Sequence, residues 1–274
     1  MPSPRLPLTA MATVLALATA ACSSGPDAAE DGVVTVVAST SVYGDVAATV
    51  AGDLAMVTSI ITSSSQDPHE YEATAQDRLA LDSADIVIAN GGGYDPFIDT
   101  LLDSGNGDPV VLDAVDVSGL APEGLNEHVW YDVQVVAALA GELSAELAEL
   151  DPANAATYQA NYESLSADLA GLQKSIDEVG ATADGQGVVI TEPVPVYLLT
   201  EVGLVVETPD EFSEAVEEGA DVAPRVLQET LDLFGDGDIA VLAYNTQASD
   251  ATTEQVLAAA QDAGVSHIVY TSLT

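Results

Sequence analysis

The chain has 274 residues, with 45 Asp and Glu against 4 Lys and Arg, a formal charge of −41, and 48% hydrophobic residues. That is enough apolar material for one large or two ordinary domains, and it excludes disorder driven by charge alone. A field this negative repels phosphate backbones, and Arg78, Lys174 and Arg225, the basic residues beyond Arg5, make no basic patch, so the composition argues against a nucleic-acid partner.

Residues 1–22 read as an export leader. Arg5 is a thin positive start, Leu6 to Ala20 form an apolar stretch too short to span a membrane as a stable helix, and small residues precede Cys22. Cys22 is the only cysteine, so an intrachain disulfide and a four-thiolate zinc site are both excluded. Thr19-Ala20-Ala21-Cys22 resembles a bacterial lipoprotein signal, which implies cleavage, lipidation of Cys22 and anchoring to the outer face of the cell membrane. Simple secretion with a free thiol is the alternative. Residues 23–32 then form a flexible tether.

From Val33 onward, short β-branched runs alternate with helical stretches, the pattern of an α/β protein with mainly parallel sheets. Strands are predicted at Val34 to Ala38, Ala55 to Thr62, Asp85 to Asn90, Pro109 to Leu112, Gly187 to Thr191, Asp238 to Tyr244 and Ser266 to Thr271. Helical spacing at Val133, Val136, Ala140, Leu143, Leu147 and Leu150 is followed by a longer stripe. Ala155, Tyr158, Tyr162, Leu165, Leu169, Leu172, Ile176 and Val179 are separated by 3, 4, 3, 4, 3, 4 and 3 residues. Capped by Asp151-Pro152 and stopped by Gly180, this predicts a helix roughly 40 Å long. It divides the chain into an N-terminal α/β lobe at 33–150, a rigid linking helix at 151–180 and a C-terminal α/β lobe at 181–274.

The chain has three histidines. His69 lies in Gln66-Asp67-Pro68-His69-Glu70-Tyr71-Glu72 after a predicted strand, and His128 in Asn126-Glu127-His128-Val129-Trp130-Tyr131-Asp132 before a helix. Glu192 ends the first strand of the second lobe in Thr191-Glu192-Pro193. Ligands of α/β sheets bind beyond the carboxyl ends of strands, where all three lie. Two neutral imidazoles and a carboxylate suit a divalent transition metal, but spacing alone equally allows solvated loop residues. His267 has no acidic or histidine neighbour and reads as structural. Gly91-Gly92-Gly93 lacks the lysine of a P-loop and reads as a turn, and Trp130 with Tyr131 as packing for the His128 loop.

The ordered motifs Asp67-Pro68-His69-Glu70-Tyr71-Glu72, His128-Val129-Trp130-Tyr131-Asp132 and Thr191-Glu192, with Tyr197 and Gly203-Leu204 after them, resemble the solute-binding proteins of zinc and manganese ABC importers, the ZnuA and TroA group. The resemblance runs from about Val33 to the end. It implies two α/β lobes joined by a backbone helix, with one Zn2+ or Mn2+ as transported ligand between them. It implies His69, His128 and Glu192 as metal ligands, and an ABC permease as partner to a monomeric, membrane-anchored carrier. A surface adhesin or a metal-dependent hydrolase is the competing function. The family adds an acidic fourth ligand from the loop after the last strand. Tyr270-Thr271-Ser272-Leu273-Thr274 offers no side-chain carboxylate there, which leaves water, the second oxygen of Glu192 or the carboxylate of Thr274, and suggests a chain truncated at its C-terminal end. Replacing an imidazole by Glu192 moves the donor set toward harder ions such as Mn2+, while the Irving-Williams order favours Zn2+. Binding is expected to weaken once acid protonates the histidines.

Overall fold

Eight strands are found among the described residues of the computed structural model, which are 32–121, 124–235 and 237–271. The expected leader with Cys22, nearly all of the tether, and Thr274 lie outside them. In chain order the elements are β1 (Val34–Thr40), α1 (Ser41–Ala51), β2 (Ala55–Ile61), α2 (Ala75–Asp82), β3 (Ile86–Ala89), α3 (Pro96–Ser104), β4 (Val110–Asp113), α4 (Ala114–Ser118), α5 (Val133–Leu150) and α6 (Ala155–Ala183). The second half adds β5 (Gly187–Ile190), α7 (Val196–Glu201), β6 (Val205–Val206), α8 (Asp210–Glu217), α9 (Pro224–Asp232), β7 (Ile239–Asn245), α10 (Ala251–Asp262) and β8 (Ser266–Tyr270). No described helix is long and apolar enough to cross a membrane.

The strands form two parallel sheets, ordered β2-β1-β3-β4 and β6-β5-β7-β8. Central strands of a parallel sheet are covered on both faces and therefore read as unbroken apolar runs, as β3 and β5 do. In the first sheet Val36, Ala38, Ile86 and Ile88 pack with Tyr43 of α1 and Leu139, Leu143 and Leu147 of α5. On the opposite face Val37, Val87 and Ala89 meet Leu81 of α2 and Phe97, Ile98 and Leu101 of α3. In the second sheet Val189, Leu242 and Tyr244 pack with Phe212, Val226 and Val256, while Val188, Ile190 and Ala243 pack with Leu199.

Both sheets switch direction beside their first strand, between β1 and β3 and between β5 and β7. A crevice opens at the carboxyl ends of strands on either side of such a switch. The polar residues buried there are Ser39, Thr40 and Asn90 in one lobe and Thr191, Glu192 and Asn245 in the other.

The linking helix differs from its sequence reading at both ends. Asp151 caps the end of α5, and its Oδ2 accepts from Asn154 Nδ2 at 2.6 Å and Tyr158 OH at 2.9 Å, so α6 begins only at Ala155, after Asn154. Gly180 does not stop the helix, which runs on to Ala183. The glycine serves close packing: a Cβ there would lie 2.8 Å from the backbone oxygen of Val202. Only Tyr158 and Ile176 of the apolar stripe are fully buried, and Leu172 and Val179 are exposed. β6 escaped the sequence reading because two residues carry no period, and Ile268 and Val269 of the outer strand β8 are exposed.

Two glycines of the same helix give a paired test. Gly171 has open space around it, so Gly171→Ala should stabilise the protein by roughly 0.5 to 1 kcal/mol through helix propensity. Gly180→Ala gains the same propensity but must push back a backbone carbonyl, at a cost of about 1 to 3 kcal/mol. Urea midpoints should therefore move in opposite directions, and a rise for both variants would refute the close-packing role of Gly180.

Candidate metal centre

A cleft between the lobes is lined by Asp67, His69, Tyr94 and His128 from the first and by Glu192, Glu217 and Asn245 from the second, among others. All three residues singled out in the sequence thus face one space. His267 is exposed on β8 and does not line it.

His69 sits in the loop after β2, where its backbone N–H donates to Asp67 Oδ1 at 2.9 Å and buried Pro68 precedes it. Its ring meets Tyr94 edge-on at 5.0 Å, and its Nε2 lies 3.8 Å from Glu127 Oε1. Tyr94 is carried into the cleft by the Gly91-Gly92-Gly93 turn after β3, all three glycines having positive φ, as the turn reading anticipated. Its hydroxyl is buried without a hydrogen-bond partner. Burial, followed by the charges of Asp67, Asp95, Glu217 and Glu127, pushes its pKa far upward, so the phenol stays neutral.

His128 is 2% exposed and is wrapped by Trp130 and Tyr94, whose ring centroids lie 5.0 and 5.6 Å from its own. Asn126 fixes its tautomer. The backbone N–H of His128 donates to Asn126 Oδ1 at 3.0 Å, which sets the amide orientation because that nitrogen can only donate. The same oxygen is 2.7 Å from His128 Nδ1, so Nδ1 must carry the proton. In the neutral ring Nε2 is then a bare lone pair. Burial, opposed by Glu127 and aided by His69, lowers the pKa of His128 to about 4, which keeps the ring neutral across the physiological range.

Asn126 also joins the lobes. Its Nδ2 donates to Pro193 O at 2.8 Å, next to Glu192, and its own carbonyl accepts from Tyr197 OH at 2.6 Å. On the far side of the cleft Gln247 Nε2 donates to Ser64 O at 2.6 Å.

Glu192 is 6% exposed. Asn245, at the end of β7, donates from Nδ2 to Glu192 Oε2, and Tyr270 OH donates to the Glu192 backbone oxygen at 3.1 Å. The second carboxylate oxygen, expected from sequence as a possible completion of the shell, is therefore already engaged. Burial, against the Asn245 hydrogen bond and with the charges of Glu217 and Asp67, raises the Glu192 pKa to about 7.

Two carboxylates reach the cleft that the sequence reading did not assign to the metal. Glu217, the last residue of α8, places Oε1 3.0 Å from His128 Nε2. Burial first, then Glu214, Glu218 and Asp67 against His69, raises its pKa to about 7. Glu127 adjoins His128 in sequence but turns toward His69. One ligand atom each from His69, Glu127 and Glu217 lie within 4.8 Å of one another. The donors are nitrogen and carboxylate oxygen, a set that suits Zn2+, Mn2+ or Fe2+.

Comparison with known proteins agrees with this architecture. A family model described as zinc-uptake complex component A, periplasmic (ZnuA), matches residues 36–274. The manganese-binding lipoprotein MntA of Halalkalibacterium halodurans is 32% identical over 183 residues, 65% of this chain and 61% of the relative. The metal ABC transporter substrate-binding lipoprotein ScbA of Streptococcus cristatus is 32% identical over 58% of this chain and 56% of its own length, so the chain matches less than two thirds of either. The iron ABC transporter substrate-binding lipoprotein MtsA of Streptococcus pyogenes serotype M1 is 28% identical over 76% of this chain and 75% of the relative. Among solved structures, a ZnuA crystal structure superposes with a TM-score of 0.73 at 22% identity, covering 88% of this chain and 92% of the other. The Mn2+ complex of FpvC from Pseudomonas aeruginosa gives 0.72 at 24% identity, over 87% and 88%.

Proposed function

Since the chain belongs to the ZnuA family of zinc-uptake components, we propose that it captures one divalent transition-metal ion outside the membrane and delivers it to an ABC permease for import. The observation that supports this reading is that His69, His128 and Glu192, from opposite lobes, line one cleft, with His128 Nε2 left proton-free. His69, His128 and Glu192 are its metal ligands. The ion is cargo, Zn2+ or Mn2+, and the protein is a carrier rather than an enzyme. Ligands from two lobes turn coordination energy into a preference for the closed cleft, which a permease can distinguish from an open one. Lipidation of Cys22 and anchoring to the outer membrane face complete the proposal, supported by the lipoprotein names of MntA, ScbA and MtsA.

Elemental analysis tests it directly. Protein stripped with chelator and dialysed against equal concentrations of Zn2+ and Mn2+ should retain about one ion per chain, and the ion retained identifies the cargo. Retention of neither metal at micromolar concentration would remove the carrier function.

A further inference from the structure

Beyond the three residues that the resemblance implies, the cleft holds a carboxylate set directly against His128. Resting on the carrier reading above, we propose that Glu217 is an inner ligand of the ion, so that the shell comprises His69, His128, Glu192 and Glu217. This donor comes from the end of α8.

Three observations support it. Asn126 commits the His128 proton to Nδ1, so Nε2 and Glu217 Oε1 face one another as electron pairs at 3.0 Å. Oε1 is buried, and no hydrogen-bond donor is aligned on it. Two lone pairs at that range repel unless a proton or a metal ion lies between them. With metal–ligand bonds of about 2.1 Å, neighbouring ligands stand about 3.0 Å apart at a right angle and about 3.4 Å apart at the tetrahedral angle. The observed separation fits two ligands on one ion.

The local fold holds Glu217 in place for this task. Phe212 and Ser213 bury one side of α8 against the second sheet, and the helix ends at Glu217. Gly219, with φ of +62°, then turns the chain so that residues 217–221 line the cleft. Charge agrees as well: two carboxylates beside neutral imidazoles favour a divalent ion. Asn245 orients the Glu192 carboxylate through Oε2.

Affinity for Zn2+ and Mn2+, the metal-free melting temperature and the Co2+ absorption spectrum should be measured for Glu217→Ala, the near-isosteric Glu217→Gln and Glu217→Asp. Loss of outer-shell partners costs about 10- to 100-fold in affinity, so loss of this ligand should exceed 100-fold in Glu217→Ala, with partial recovery in Glu217→Asp. The metal-free melting temperature should rise in Glu217→Gln, because the amide can offer a donor to His128 Nε2 where the carboxylate oxygen has no aligned partner, while shape is kept. A structural role alone would not lower affinity and raise metal-free stability together. The Co2+ d–d bands of Glu217→Gln should also differ from those of the unmodified protein. Unchanged affinity and an unchanged Co2+ spectrum in both Glu217→Ala and Glu217→Gln would overturn the assignment. If His69→Ala/His128→Ala abolishes binding in the same assay, only the role of Glu217 falls; if that double variant also binds normally, the carrier reading falls with it.

Discussion

Replacing both His69 and His128 with alanine should lower the affinity for Zn2+ or Mn2+ by about 10,000-fold. Four-ligand zinc sites bind with roughly 10 to 16 kcal/mol, which is about 3 kcal/mol per ligand, and two ligands lost at 1.4 kcal/mol per factor of ten give that figure. Competition against a chromophoric chelator measures it. The two single variants should behave differently as folded proteins. His69 is partly exposed, so His69→Ala should leave the metal-free melting temperature nearly unchanged. His128 is enclosed by Trp130 and Tyr94, and His128→Ala opens a cavity there, expected to cost about 2 to 4 kcal/mol. A folded double variant that loses only a few-fold in affinity would place the metal elsewhere.

The parts of this molecule that the sequence makes legible are those with a local physical signature. β3 and β5 are continuous apolar runs because both their faces are covered, and the regular spacing over α5 and α6 follows from one turn packing above the next. His69, His128 and Glu192 stand out because two are rare residues and all three follow strand ends in ordered motifs.

What stayed hidden depends on distant partners. Gly180 looks like a helix stop until the Val202 carbonyl is seen against it. Asn126 looks like any loop asparagine until folding brings Pro193, 67 residues away, to its amide. Glu217 is one carboxylate among 45 Asp and Glu, and nothing in Glu217-Glu218-Gly219 separates it from its neighbours before α8 is docked. In a chain this acidic, carboxylates lose value as signals while histidines gain it.

Acid should weaken metal binding through the carboxylates rather than through His128. Sequence reasoning placed the loss at both histidines; burial takes His128 out of that range by lowering it to about 4, and adds Glu192 and Glu217 by raising them to about 7. With both glutamates as ligands, a bound ion holds them ionised, so loading the site below pH 7 must expel up to two protons. The logarithm of the apparent binding constant should be flat above about pH 8 and fall by up to two units per pH unit below 7. The metal-free protein should respond in the opposite sense. A carboxyl whose folded pKa lies above its unfolded value adds stability that is complete below the unfolded value, near 4.5, and is lost as pH rises through about 7. For each glutamate the effect is on the order of 3 kcal/mol. Melting curves with and without metal between pH 5 and 8 expose both trends at once, because the gap between loaded and metal-free melting temperatures should close steeply toward pH 5. A gap that stays constant over that range would mean that neither Glu192 nor Glu217 gives up a proton to the metal.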